Sequence, residues 1–180
     1  MRTLVLGGIR SGKSRWAESA IAGAVGSGQS VRYLATGADS GSDLAWSERV
    51  AAHRDRRPWN WTTVETIEVA TELRRFATTP TLVDDLGGWL TAVLDRNNAW
   101  AGGNAASVAI DIEALFAAVN AFGAELVMVS PEVGLSVVPA TEAGLRFADE
   151  LGGLNQRLAR VCDRVVLVVA GQPLTIKGIG

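Results

Sequence analysis

The sequence predicts an α/β fold, a mostly parallel sheet with helices on both faces. Two patterns predict the layers and one motif predicts their type. Several short runs are continuously apolar, among them residues 4–6, 126–129 and 165–169. Strands of that composition are buried on both faces, as in parallel sheets covered by helices. These runs alternate with longer stretches whose apolar residues recur at helical spacing. The run Gly7-Gly8-Ile9-Arg10-Ser11-Gly12-Lys13-Ser14 fits the phosphate-loop pattern G-x-x-x-x-G-K-S/T. It stands between the first apolar run and a helix start at residues 15–21, the context that the motif requires. The expected fold is therefore P-loop NTPase-like, a single nucleotide-binding catalytic domain over residues 1–180.

The elements follow in order. Residues 3–6 form the first strand, and 31–36 the second. Residues 44–57 read as a helix, with Ser42 or Asp43 as its cap and Pro58 closing it. Residues 61–65 are a third strand, 69–77 a helix, and 81–84 a short buried strand. Two helical stretches follow, 89–95 and 107–122, separated by a Gly/Asn-rich loop at 97–104. Residues 126–129 form another strand. A long amphipathic helix covers 141–161, and 165–169 is the clearest buried strand. There are no internal repeats or low-complexity linkers, so no second domain is expected.

Composition bounds the function. The chain has 180 residues, 48% hydrophobic and 20% charged, with a formal net charge of -2. That balance argues against a broad nucleic-acid surface. One cysteine, Cys162, excludes an internal disulfide and a cysteine-built zinc or iron–sulfur site, and it reads as inert core. No apolar run approaches the ~18 residues of a membrane span, and no signal peptide is recognisable, so a cytoplasmic protein is expected.

The motif's chemistry follows from its shape. A strand feeding a glycine-rich turn and a helix aims several backbone N–H groups at one point, where the helix dipole also favours anions. Gly7, Gly8, Ile9, Arg10, Ser11 and Gly12 are thus candidate phosphate contacts. Lys13 would reach the β/γ-phosphates, and the Ser14 hydroxyl would ligate Mg²⁺. Lys13 and Lys177 are the only lysines, against fifteen arginines, and arginine cannot supply the same compact point charge. The strand 81–84 ends in Asp84, which fits the Walker-B role of holding the Mg²⁺ shell. From the strand alone the signal is weak, since many strands end in Asp and a turn or helix cap before Gly87-Gly88 is the other reading; with the phosphate loop upstream, the metal role of Asp84 is favoured. Asp85 would point to the other side of the strand.

His53 is the only histidine. At helical spacing Arg49, His53, Arg56 and Arg57 share one face. Guanidinium groups around an imidazole lower its pKa and also attract polyphosphate. A neutral imidazole facing an α-phosphate could attack it and carry a nucleotidyl group covalently. A solvated basic face with an incidental histidine fits the same residues, and by themselves they favour that reading.

The phosphate loop through Arg15, the run Tyr33-Leu34-Ala35-Thr36 and the block from Ala52 to Pro58 resemble the bifunctional adenosylcobinamide kinase / adenosylcobinamide-phosphate guanylyltransferases. The segment Glu132-Val133-Gly134-Leu135-Ser136-Val137-Val138-Pro139 and Leu154-Asn155-Gln156-Arg157-Leu158-Ala159 carry the same resemblance, which covers nearly the whole chain. It implies two reactions of cobalamin biosynthesis. ATP or GTP phosphorylates the aminopropanol hydroxyl of adenosylcobinamide. GTP then donates GMP to adenosylcobinamide phosphate, giving adenosylcobinamide-GDP and pyrophosphate.

The resemblance also implies residue roles. His53 matches the histidine that bears GMP. Thr36, Gly37 and Ala38 match a nucleotide-contacting loop, and Arg54, Asp55, Arg56, Arg57, Glu65 and Asp84 match further nucleotide contacts. A homo-oligomer is implied, with a trimer as the suggested size. Two positions depart from many relatives: Pro131 stands where Asn is common, and Asp85 where a smaller or uncharged residue is common. Neither removes a group that the chemistry needs. Two other functions remain alternatives, a simple P-loop small-molecule kinase and a non-enzymatic GTP switch. The second lacks the Asn-Lys-x-Asp base-reading motif.

Overall fold

The computed structural model describes residues 1–26, 28–37, 58–101 and 103–178. The expected helix over 44–57 lies outside the described residues, and with it His53 and its arginine neighbours.

Seven described strands form one sheet in the order β3-β2-β4-β5-β1-β6-β7. They are β1 (Arg2–Gly7), β2 (Arg32–Ala35), β3 (Thr62–Glu65), β4 (Thr81–Asp84), β5 (Leu126–Pro131), β6 (Arg164–Val169) and β7 (Gln172–Lys177). All pair in parallel except β7, which runs antiparallel to β6. The helices are α1 (Lys13–Ala24), α2 (Val69–Arg75), α3 (Leu86–Arg96), α4 (Ala105–Ala121) and α5 (Glu142–Val161). The predicted α/β architecture is therefore observed.

The period of two along each strand divides the core into two layers. Leu4, Leu34, Val83, Leu126, Met128 and Val165 face one side, where α2, α3, α4 and α5 cover them. Val5, Tyr33, Leu82, Val127, Val129, Val166 and Val168 face the other, against Ala17 and Ile21 of α1. Helical spacing explains the matching stripes. In α5, Leu151, Leu154, Asn155 and Leu158 are the buried residues, and in α4, Val108, Ile112, Leu115, Phe116 and Val119 are among them. Thr141 caps α5 by accepting from the Gly144 N–H at 3.1 Å.

The strand β7 has no counterpart in the sequence reading. All six of its residues are exposed, so no burial pattern marks it. Its hairpin turn is Ala170-Gly171, with φ of 50° and 77°. Positive φ at both positions matches the twist that two-residue hairpins need, and Gly171 is the only signal of it. The last residue of β7 closes the end of α5. Lys177 Nζ donates to the carbonyls of Ala159, Arg160 and Cys162 at 2.9, 3.0 and 2.7 Å. A cation at a helix C-terminus satisfies otherwise orphaned carbonyls and complements the dipole. Cys162, beside it, is buried as expected, and burial pushes its thiol up to about 12.

Lys177→Met keeps the stem of the side chain and removes all three donors. It should destabilise the fold by about 1–3 kcal/mol, the range for charge-assisted bonds. A urea midpoint equal to that of the wild type would show that water replaces the lysine without loss.

Candidate active site at the carboxyl edge of the sheet

The parallel register brings the carboxyl ends of β1, β2, β4 and β5 to one edge. Gly7 stands opposite Pro131, and Ala35 opposite Asp84. In open α/β sheets this edge is where ligands bind.

The predicted phosphate loop fills the space between β1 and α1. Two of its glycines have physical reasons, one a lack of room and the other its backbone conformation. A Cβ on Gly7 would come within 2.4 Å of Ser11 Oγ and 2.8 Å of the Val168 carbonyl. Gly12 has φ 91°, and a Cβ there would meet Gly171 Cα at 3.2 Å. Arg10 is also left-handed, with φ 56°. The loop is held from both sides by backbone. The Glu132 N–H donates to the Gly7 carbonyl at 3.0 Å, and the Gly171 N–H to the Ser11 carbonyl at 2.8 Å. The β6–β7 turn thus braces the loop, a contact that sequence reasoning missed. No side chain caps α1, and no acidic residue lies in its first turn. Its first N–H groups remain available to an anion. Lys13 Nζ folds back on the Gly8 carbonyl at 3.3 Å.

Asp84 and Ser14, expected to share a metal shell, are in direct contact. Ser14 Oγ donates to Asp84 Oδ1 at 3.2 Å, and the Tyr33 hydroxyl to Asp84 Oδ2 at 2.5 Å. The tyrosine was not foreseen as a partner, though it precedes Thr36 in the resemblance run. A hydroxyl and a carboxylate are hard oxygen donors of the kind Mg²⁺ accepts beside phosphates and water. Among the described residues no group of three or more His, Cys, Asp or Glu could hold a metal by itself.

The adjacent Asp85 does a different job. It is the N-cap of α3, accepting from the Gly88 N–H at 2.8 Å, and it starts that helix three residues before the expected position. Burial lifts its carboxyl above the usual range. Against that rise act the Gly88 bond and the Lys13 charge, while the neighbouring Asp84 adds to it.

The other predicted positions divide. The Thr36 hydroxyl donates to the Asp85 carbonyl, and its N–H to the Asp84 carbonyl at 3.1 Å, so it ties β2 to β4. Gly37 follows it at the surface. Glu65 ends β3, at the far edge of the sheet. Four strand spacings, about 19 Å, separate it from β1, so it does not join the phosphate-loop cluster. Ala38, His53, Arg54, Asp55, Arg56 and Arg57 lie outside the described residues. Asn155, quoted above only for its resemblance, has a physical task. Its Oδ1 accepts from buried Ser130 Oγ at 2.6 Å, and its Nδ2 donates to the Pro131 carbonyl at 3.0 Å. It anchors the end of β5 to α5.

A mostly parallel sheet with a phosphate loop after an interior strand defines a P-loop NTPase-like fold. In keeping with that class, the chain is similar to an ATPase from the type III secretion system of pathogenic bacteria. The TM-score is 0.60 at 13% identity, over 92% of this chain and 50% of that one. Residues 3–176 match the family model "Cobinamide kinase / cobinamide phosphate guanyltransferase", and the chain belongs to that family of transferases. It is 42% identical to the bifunctional adenosylcobalamin biosynthesis protein CobP of Pseudomonas aeruginosa, over 99% of this chain and 98% of that protein. It is 34% identical to the bifunctional adenosylcobalamin biosynthesis protein CobU of Salmonella typhimurium, over 98% of this chain and 100% of that protein.

The Asp85 environment predicts a pH effect. A carboxyl whose folded pKa is raised binds its proton more tightly folded than unfolded. Stability is then full with the group protonated and falls as pH climbs from near 3.8 through the folded value. Asp85→Asn keeps a cap acceptor without the charge and should lose this fall. Urea midpoints from about pH 4 to pH 7 test it, and parallel curves for the two proteins would refute it.

Proposed function

We propose that this chain catalyses both reactions of its family: phosphorylation of adenosylcobinamide by ATP or GTP, then transfer of GMP from GTP to adenosylcobinamide phosphate. The observation that carries the reading is the Ser14–Asp84 contact at 3.2 Å, which couples the start of the phosphate-loop helix to the carboxylate ending β4. The reading includes one catalytic domain, a cytoplasmic location and a homo-oligomer.

In the kinase step the acceptor hydroxyl oxygen bonds to the γ-phosphorus, and the bond to the β,γ-bridging oxygen breaks. The nucleoside diphosphate leaves and the hydroxyl proton is released. The loop N–H groups and Lys13 bind the phosphates and stabilise the charge that moves onto the bridging oxygen. Ser14 and Asp84 would hold Mg²⁺, which supplies further charge neutralisation when bound. Thr36 and Asp85 hold β2, β4 and α3 in register around that point.

In the transferase step His53 is the proposed nucleophile. Its ring nitrogen bonds to the α-phosphorus of GTP while the bond to pyrophosphate breaks. An oxygen of the acceptor phosphate then bonds to the same phosphorus, and the nitrogen–phosphorus bond breaks to restore the imidazole. Arg54, Arg56 and Arg57 would pair with the phosphates, and Gly37, Ala38, Asp55 and Glu65 complete the proposed nucleotide contacts.

Lys13→Ala should lower the kinase rate by roughly 10²- to 10⁴-fold, because it removes a preorganised charge at the transferring group. A folded variant that phosphorylates adenosylcobinamide at the wild-type rate would refute the loop assignment. Incubation with GTP and Mg²⁺ should add one GMP mass to the peptide containing His53, in an acid-labile bond. His53→Ala should lose the adduct and guanylyl transfer while keeping kinase activity. Full transfer without any protein adduct would leave direct displacement as the mechanism, and kinase activity with no transfer at all would leave a simple kinase.

A further inference from the structure

Asp84 has a second partner that the phosphoryl chemistry above does not use. The Tyr33 hydroxyl donates to its Oδ2 at 2.5 Å, while Ser14 Oγ donates to its Oδ1 at 3.2 Å. Tyr33 lies on β2 opposite Leu82, and Asp84 lies two positions further along β4, opposite Ala35. By the period of two, Tyr33, Leu82 and Asp84 share the sheet face that α1 covers. Tyr33 is 2% exposed, buried in the layer that contains Leu82 and Ala17 and Ile21 of α1. A phenylalanine would fill that apolar layer as well. A hydroxyl brought into it costs free energy unless it is paired, and a paired one contributes little net stability. Its effect on Asp84 accounts for it better than its effect on the core.

We infer that Tyr33 is a positioning residue for the metal-holding carboxylate, fixing the plane of Asp84 so that Oδ1 stays turned to Ser14 and the start of α1. The inference rests on the reading under Proposed function, in which Ser14 and Asp84 hold Mg²⁺. The terminal torsion of an aspartate is broad and two-fold, so its carboxylate turns freely unless it is held. Here both oxygens are held, Oδ1 from α1 and Oδ2 from β2. Each carboxylate oxygen has two lone pairs, so one that accepts a single hydroxyl keeps another for a metal or its water. Burial of the ring matters to this task. An exposed tyrosine would swing with the carboxylate, whereas a ring packed in the α1 layer cannot. Groups that orient a metal ligand govern metal affinity by roughly 10- to 100-fold.

Tyr33 is the only tyrosine in the chain, so its hydroxyl can be followed directly. The probes are ADP and GDP, the diphosphates that the kinase step can release, neither of which has a γ-phosphate to transfer. Their Kd is measured with excess Mg²⁺ and with EDTA, for the wild type, Tyr33→Phe, Asp84→Asn and the double variant. In Tyr33→Phe the gain in affinity that Mg²⁺ brings should shrink by roughly tenfold or more, with the Kd in EDTA unchanged. In the Asp84→Asn background the same change should have no further effect, because the tyrosine acts through that carboxylate. In wild-type protein carrying ring-labelled tyrosine, the single NMR signal of Cζ should shift when Mg²⁺ is added to the diphosphate complex. An unmoved signal, or a Tyr33→Phe protein that keeps the full gain, overturns the inference alone. Equal weakening with and without Mg²⁺ overturns it too, since Tyr33 would then shape the loop rather than the metal's surroundings. So does a double variant that loses more than Asp84→Asn. A wild type that binds neither diphosphate, or binds one with no gain from Mg²⁺, overturns the metal role of Ser14 and Asp84 and the inference with it. A wild type that shows the gain yet leaves adenosylcobinamide unphosphorylated overturns the proposed function and leaves the role of Tyr33 standing.

Discussion

The position of β1 between β5 and β6 is the constraint on which the rest of the molecule depends. Its parallel register with β5 sets Gly7 opposite Pro131, and its register with β6 sets Gly7 opposite Val168. The loop that follows is therefore pinned by backbone from both neighbours, through Glu132 and Gly171. A loop whose backbone amides must point at one anion cannot rely on side chains for its shape, because its own N–H groups are the ligands. Gly7 and Gly12 are the sequence's share of the arrangement, the first a position where a buried hydroxyl and a backbone carbonyl leave no space for a Cβ, the second one whose φ of 91° suits glycine. The apolar residues of β1 set the strand's depth: Leu4 and Val5 are fully buried, on opposite faces.

Adjacent carboxylates at the end of β4 show how one backbone position decides chemistry. Asp84 still follows the strand and faces Ser14 and Tyr33, where two hydroxyls donate to it. Asp85 has left the strand and caps α3, so its oxygen is taken by an amide. Burial works against its charge, which makes it a costly cap at neutral pH. The strand and helix it joins also carry the Thr36 contact, which closes the gap between β2 and β4. Stability is given up at Asp85 beside the residues that face the proposed phosphates, a usual place for such strain.

The parts of the fold legible in the sequence were those where burial imposes a period. Val165, Val166 and Val168, or Leu126 through Val129, cannot be solvated, so their runs announce strands. The strand β7 was illegible for the same reason in reverse: Gln172 to Lys177 is exposed throughout, and its turn is Ala-Gly rather than Asn-Gly. In the site, the phosphate loop was legible because its spacing is local, and Asp84 stood out only as the end of a short apolar strand, its meeting with Ser14 spanning 70 positions. Tyr33, Asn155 and Gly171 were not, because each acts through a neighbour far away in the chain. The residue pairs Tyr33–Asp84 and Asn155–Ser130 are separated by 51 and 25 positions. No periodicity reports such contacts. Helix α3 began early because Asp85 could cap it, a role that the chain pattern left equal to a turn.

The sheet order also bears on how one small chain could serve two transfers. The phosphate loop, Ser14 and Asp84 lie at its centre, whereas Glu65 lies on the outermost described strand, three strands from β1's neighbour at β5. A triphosphate held at Lys13 cannot also present its phosphates to Glu65 across about 19 Å of sheet. The positions matched to nucleotide contacts therefore fall into a central group around Lys13 and a peripheral one at Glu65. For both to touch nucleotide, either one nucleotide must span the carboxyl edge with its base toward β3, or the two reactions must use different positions on that edge. In both arrangements the acceptor has to present its reacting arm first as a hydroxyl and then as a phosphate.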